Sequence, residues 1–423
     1  MQLTKIALAV GVACAAASAT AAPDVSRIAL SAGASAVQGN YNLALRAMCT
    51  AAGGVPTSFV SGNFTTVVCA DVAITTGAQY TAKPNGEFIN FNGIPFAEVR
   101  INVSDGSFGS VLILNGKAYT FRDPATSTNI APPAGATIIG GFSDTATNRF
   151  PAPTIGANQL FANAGAGVAQ TFGVAASNAL YTKMFDAQKL AGLIPASCTV
   201  SDTNLPYCVP SIAKAQMATI MVDNPFNAAY SRGLGFLTRN PADDGTELRY
   251  VRRVDTSGTQ SSAQNYFLGL PCSLEALSIV PEPTSDDEAG GLKDALIGAI
   301  RVYAAGGTSD VRNELNKAGV FALGVMSGEN NQSGSNWRWL RVDGAMIGEN
   351  AIPGTAGITN SNTLKDGSYG FYFELTYTGN NSVLGAIASS LNTLAAPVGL
   401  VNAADLAAGY NKGGLTCQGS SSN

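Results

Sequence analysis

The chain has 423 residues, of which 46% are apolar and only 12% charged, with 24 Lys and Arg against 28 Asp and Glu. This is a globular composition with room for two cored domains, not a disordered one. The net charge of −4 without any basic block excludes a phosphate-tracking nucleic-acid surface, and the complete absence of histidine excludes histidine-based triads, bases and metal sites.

Residues 1–22 read as a secretory signal peptide. Lys5 supplies the positive start, Ile6 to Ala17 the apolar stretch, and Ala19-Thr20-Ala21 an A-x-A cleavage site. Cleavage after Ala21 or Ala22 would give an exported chain, periplasmic or secreted. A lipoprotein reading at Cys14 is poorer, because Gly11 stands where a leucine is wanted. No later stretch holds the ~20 uninterrupted apolar residues of a membrane span, so direct membrane insertion is not expected. Six cysteines follow the leader: Cys49, Cys69, Cys198, Cys208, Cys272 and Cys417. Their even number suggests three disulfides, among roughly 15 pairings. Short separations favour Cys49–Cys69 and Cys198–Cys208, leaving Cys272–Cys417. Each bridge would contribute about 3 kcal/mol by restricting the unfolded chain.

Val25 to Ser31 reads as a strand, Ala32 to Ala36 as a small-residue turn, and Val37 to Met48 as a helix with Tyr41, Ala44, Leu45 and Met48 on one face. A strand, small turn and helix can present backbone N–H groups to an anion. The same layout also serves as an ordinary first βα unit. Thr50 to Phe96 is a polar, Gly-rich insertion tied down by the first bridge. Glu98 to Val103 is a second strand. The turn Gly106-Ser107-Phe108-Gly109-Ser110 fits a hairpin and a helix start about equally. Gly116 to Pro133 is another insertion. Ala136 to Asp144 is a buried strand ending in a turn, where Asp144 can cap the next helix. Pro151 to Ala175, which follows, is Gly- and Ala-rich and low in charge. Pro210 to Val222 is a packing helix. Asp286-Asp287-Glu288 is contiguous, unlike the spaced ligands of a calcium loop, and reads as a solvated surface loop. Leu292 to Ala305 is expected to be a helix, Val320 to Ser327 a strand, and Trp337-Arg338-Trp339 a packing or hinge cluster. Asp366 to Thr376 is a strand, and Ser382 to Ala395 a final helix.

The most informative stretch is Leu248 to Leu270. It reads as a strand to Val254, a turn at Asp255-Thr256-Ser257-Gly258, and a helix carrying Ala263, Phe267, Leu268 and Leu270 at helical spacing. Arg253 offers a planar cationic fork, and Asp255, two residues on, could hold it. Gly258 permits close approach to the backbone, and Ser257 and Thr259 add hydroxyls. These groups would converge on one small oxyanion. The plain alternative is a capped helix after an edge strand with an incidental arginine.

RRVDTSGT resembles the R-x-D-x-S-G-T signature of the periplasmic phosphate-binding proteins of ABC transporters, and Tyr266-Phe267-Leu268 fits the run that follows it. Shorter patches are similar in the same order: the Ala34 to Ala36 turn, the Gly106 to Ser110 turn, Gly141-Phe142-Ser143-Asp144, and Asp366-Gly367-Ser368-Tyr369. The resemblance implies an α/β, two-lobe, type II periplasmic-binding-protein fold with two hinge crossovers, the first near Gly165 to Gly173 and the second near Trp337 to Trp339, and with the Asp366 to Thr376 strand returning to the first lobe. Lobe 1 would comprise residues 23–167 and 338–423, and lobe 2 residues 168–337. It implies a monomeric binding protein rather than an enzyme, without cofactor or metal, that captures inorganic phosphate for the membrane permease of an ABC transporter. Ser35, Ser107, Ser257 and Thr259 would donate from hydroxyls, and Ala36, Gly258 and Thr259 from backbone N–H groups. Arg253 would supply charge, Asp255 would orient it, and Asp144 would accept the ligand's proton. The aromatic residue that often follows the first hydroxyl is replaced by Ala36. The two insertions bear on docking to the usual transporter. The rivals are a secreted phosphatase on the same scaffold, for which no histidine or spaced carboxylate cluster is visible, and a surface or adhesive protein that has lost its ligand.

Overall fold

The computed structural model describes residues 23–75, 80, 87–203, 205–224, 226–270, 279–286, 291–347, 362–394 and 399–406. The expected leader, the Cys272–Cys417 pair and most of the Asp286 to Glu288 loop lie outside them.

The first half is built on β1 (Ile28–Ala32), α1 (Gln38–Ala51), β2 (Val55–Ser61), β3 (Phe64–Ala70), β4 (Glu98–Asn102), α2 (Gly109–Leu114), the small hairpin β5 (Phe121–Arg122) and β6 (Asn129–Ile130), and β7 (Thr137–Ser143). β1 is flanked on both sides by parallel partners, β4 and β7. Burial on both faces explains why β1 reads as an unbroken run of apolar and small residues, all five of them buried. α1 covers this sheet with Tyr41, Ala44, Leu45 and Met48, spaced i, i+3, i+4 and i+7. The Thr50 to Phe96 insertion is partly sheet, because β3 pairs with β4 and β2 with β3, extending the edge. The disulfide Cys49–Cys69 fastens the end of α1 to β3, as expected.

The chain then passes a short α3 (Ala152–Ile155) into β8 (Asn163–Ser177). At 15 residues, β8 spans about 50 Å. Its first part pairs with strands of the first half and its last part with the second. The second half follows as α4 (Asn178–Leu190), β9 (Ser211–Ile212), α5 (Lys214–Met221), α6 (Ala228–Arg232), α7 (Leu234–Thr238), β10 (Leu248–Arg253), α8 (Gly258–Ala263), β11 (Lys293–Ile297), β12 (Ile300–Ala305), α9 (Thr308–Leu315), β13 (Ala322–Ser327), β14 (Trp337–Trp339) and β15 (Arg341–Val342). The loop after α4 is closed by the expected Cys198–Cys208 bridge. α10 (Asn362–Lys365), β16 (Tyr372–Gly379), α11 (Asn381–Asn392) and β17 (Leu400–Asn402) complete the chain.

Together these make a two-lobe α/β molecule whose main sheet runs β11-β12-β10-β13-β8-β16-β7-β1-β4-β3-β2, with β14 and β17 also on β8. Each half has its own apolar core, one around Leu45, Val99 and Leu384, the other around Leu248, Val302 and Trp337. Two expectations need correction. Leu292 to Ala305 is not a helix but an antiparallel hairpin, with Ile297 paired to Ile300 across Gly298-Ala299. Trp337 to Trp339 does not lead back to the first half. β14 lies on the far end of β8, and β15 pairs with β9, so both remain in the second half. The return is made at β16, which pairs with β8 on one side and β7 on the other.

Strand direction places the site. β7 and β8 both run against β16, so β1, β4 and β7 point the same way as β8, toward the second half. β13 runs against β8, and β10 and β12 are parallel to β13, so they point toward the first half. The carboxyl ends of the two sets therefore face each other across the seam, where open α/β sheets bind ligands.

Candidate functional site

Four turns from those strand ends meet at the seam. After β4, Gly106 takes φ +59°, which a residue with a Cβ adopts only with strain. This lets Ser107 turn inward and α2 begin at Gly109, so the turn opens a helix and is not a hairpin. Ser107 is buried, and its hydroxyl accepts the backbone N–H of Asp144, at 3.1 Å, from the turn after β7. On the other side, Gly258 faces this pair. A Cβ at Gly258 would collide with Ser107 Oγ and stand 2.6 Å from its Cβ and 2.8 Å from Asp144 Cβ. Thr259 Oγ1 makes a long 3.5 Å hydrogen bond to Asp144 Oδ2. Phe108 N–H donates to Thr256 O at 3.1 Å, and Ser261 Oγ donates to Arg149 O at 3.1 Å. The two halves are thus in direct contact here. Ser257 lies beside Gly106, whose Cβ would sit 3.1 Å from Ser257 Cα.

Asp144 is the chemically distinctive member. It is 2% exposed, and its Oδ1 has no hydrogen-bond partner among the described residues. Burial raises its pKa to about 6, against the lowering effects of Arg253 and of the Ser107 and Thr259 hydroxyls. A buried carboxyl oxygen without a partner is costly, and it is suited to accept a proton-bearing oxygen.

Arg253, also 2% exposed, is held by neutral groups: Nε to Ala305 O at 3.2 Å, Nη1 to Thr308 Oγ1 at 3.2 Å and Nη2 to Gly306 O at 2.9 Å. Those bonds use three of the five N–H donors of the guanidinium. Burial lowers its pKa, and the carboxylates of Asp144, Asp310 and Glu329 oppose that at longer range. Its backbone N–H is bonded to Gln260 Oε1 at 3.0 Å. Asp255 does not orient this fork. It forms an ion pair with the neighbouring Arg252, whose guanidinium also donates to Val280 O at 2.6 Å, while the Asp255 N–H donates to Glu282 Oε2 at 2.7 Å. Alternation along β10 accounts for the exchange, because Arg252 and Arg253 leave opposite faces of the strand.

Ser35 and Ala36 lie in the turn after β1, whose Ala34 N–H donates to Phe142 O at 2.8 Å near the end of β7. They join the group as neighbours in strand order rather than through a direct bond. Sequence reasoning missed Gln260, Thr308 and Gly306, which set the arginine, and Glu329, which follows β13. For Thr308 a signal existed: Gly306-Gly307-Thr308 is a third small-residue turn between a strand and a helix, with Asp310 accepting the Gly307 N–H at 2.9 Å.

No family model matches the sequence. No curated protein matches it either. Among solved structures, a chain described as PstS from Borrelia burgdorferi is similar at 10% identity and a TM-score of 0.33, over 87% of this chain and 93% of that one.

Proposed function

We propose that the protein is an exported solute-binding protein that captures inorganic phosphate between its two lobes for uptake through an ABC-transporter permease. The observation that carries this reading is the meeting of Ser107 and Asp144 from one lobe with Gly258 and Thr259 from the other, beside Arg253. The buried arginine has donors to spare, and the carboxyl Oδ1 lacks a partner among the described residues. An oxyanion that still carries a proton satisfies both: its unprotonated oxygens accept from Arg253 and the hydroxyls, and its O–H donates to Asp144. A fully deprotonated anion satisfies only the first. Ligand-binding roles are assigned to Ser35, Ala36, Ser107, Asp144, Arg253, Ser257, Gly258 and Thr259, with Asp255 serving Arg252 instead.

The test is titration calorimetry on protein unfolded and refolded to remove bound ligand, with phosphate, arsenate and sulfate. Phosphate and arsenate should bind, and sulfate should not. Absence of phosphate binding would favour the adhesive rival. Steady release of product from a chromogenic phosphomonoester, lost on Arg253→Ala, would establish the phosphatase instead.

A further inference from the structure

Glu329 is a carboxylate at the seam for which the reading above has no use. It stands two residues beyond the end of β13, in the segment beside the turn that carries Ser257 and Gly258, since β13 is parallel to β10 with Gly324 opposite Val251. Its direct partners are neutral donors: Ser327 Oγ to Oε1 at 2.6 Å, Asn330 Nδ2 to Oε1 at 3.3 Å, and Gln170 Nε2 to Oε2 at 3.3 Å. Ser327 and Gln170 are completely buried. The charged groups that bear on it are Asp144, from the opposite lobe, and Arg253, from the adjacent strand. From β8, the group bonded to Glu329 is the neutral Gln170 amide. On the remaining side, Gly399 packs so closely that a Cβ there would stand 2.5 Å from the Glu329 N. Burial raises the pKa of Glu329 to about 7; the Ser327 hydroxyl and its own N–H oppose this, Asp144 adds to it and Arg253 subtracts.

We infer that Glu329 takes up a proton from solvent when phosphate is captured, so that binding above neutral pH is coupled to protonation of this carboxylate. The argument is one of charge. Arg253 stands among three carboxylates, Asp144, Asp310 and Glu329, and an entering hydrogen phosphate adds two further negative charges. Asp144 can share the ligand's own proton, but Glu329 has no ion-pair partner among the described residues and would feel an anion brought into a region of low dielectric. Protonation removes that repulsion. The new carboxyl also has an acceptor at hand, because Gln170 Oε1 is buried without a hydrogen-bond partner among the described residues. The inference rests on the phosphate reading and adds a second titrating group to it.

The experiment is calorimetric titration of the full chain with phosphate at pH 8, in two buffers of different ionisation enthalpy, for the parent and for Glu329→Gln. The parent should take up about one proton more than the variant per phosphate bound. Its affinity should fall with pH up to tenfold more steeply per pH unit, taking one linked proton as one decade. Equal proton uptake in the two proteins overturns the inference while leaving phosphate binding intact. If the parent binds no phosphate at any pH, the functional reading itself fails. Should the variant fold poorly, a difference infrared spectrum of the parent at pH 8 decides the matter. Phosphate should produce a protonated-carboxyl band, and its absence overturns the inference.

Discussion

Arg253 is anchored before any ligand arrives. Three of its N–H groups are committed to Ala305 O, Gly306 O and Thr308 Oγ1, so the direction of the remaining donors is fixed by two backbone carbonyls and a hydroxyl rather than by a mobile counter-ion. Ordering cost on binding is correspondingly small. Truncating one side of a buried charge pair typically costs ~2–5 kcal/mol. Arg253→Ala should therefore weaken phosphate binding by at least about thirtyfold, with circular dichroism unchanged; a folded variant with parental affinity would remove the residue from the site. Asp144 acts through the opposite sign. Facing sulfate, its buried carboxylate would meet only lone pairs and like charge, so discrimination comes from a repulsive element. Asp144→Asn replaces the anion by an amide that can also donate. The phosphate-to-sulfate affinity ratio should narrow by about tenfold or more, equivalent to about 1.4 kcal/mol. Paired titrations of both proteins with both anions measure it, and an unchanged ratio would reduce Asp144 to a structural residue.

At the scale of elements, the site depends on how closely two turns approach. Gly258 opens α8 directly against Ser107, and no space exists there for even a methyl group. Gly258→Ala must push the turns apart, an overpacking that costs about 1–3 kcal/mol. Because the strain lies between lobes, it should appear chiefly as lost affinity and a more open molecule. Small-angle scattering with saturating phosphate should give a larger radius for the variant than for the parent; equal radii and equal affinity would show that the turns are not in contact in solution. The legibility of these elements differed for a physical reason. Strand, turn and helix around Arg253 were plain, because turn residues and apolar spacing agreed. The hairpin at Lys293 to Ala305 was not, since Leu296, Ile297, Ile300 and Val302 also suit a helix. The deciding signal was Gly298, which takes φ +59° and lies against Tyr230 O, as the first residue of a two-residue turn. Reading that segment as helix hid β12, and with it the turn that grips the arginine. Asp255 pairs with Arg252 rather than the expected Arg253 for a related reason. Spacing in sequence does not say which face of a strand a side chain leaves. Glu329 carried no local signal at all, because only sheet order brings the end of β13 beside β10.

For the molecule as a whole, folding makes several carboxylates less acidic, two of them, Asp144 and Glu329, at the seam. Asp144 rises from 3.8 to about 6 and Glu329 from 4.5 to about 7, and Glu98 and Glu374 are raised by burial as well. Between about pH 4 and pH 7 the folded protein therefore binds more protons than the unfolded chain. Stability is then greatest at the acid end of that window and falls as pH rises through the folded-state values. The surface carboxylates Asp24, Asp202 and Asp366 are shifted downward, and their opposing effect is confined to pH below about 4. Ligand-free protein should accordingly melt at a higher temperature at pH 5 than at pH 8. Asp144→Asn and Glu329→Gln should each flatten this dependence, because a neutral side chain has no proton to lose. Saturating phosphate should raise the melting temperature at both pH values, in proportion to the logarithm of its concentration over its dissociation constant. Differential scanning calorimetry on the three proteins checks the whole set. A parent whose melting temperature rises from pH 5 to pH 8 would show that the carboxylates at the seam are ionised and paired in the folded molecule, with the lobes held together by attraction across it rather than by a charge that awaits its ligand.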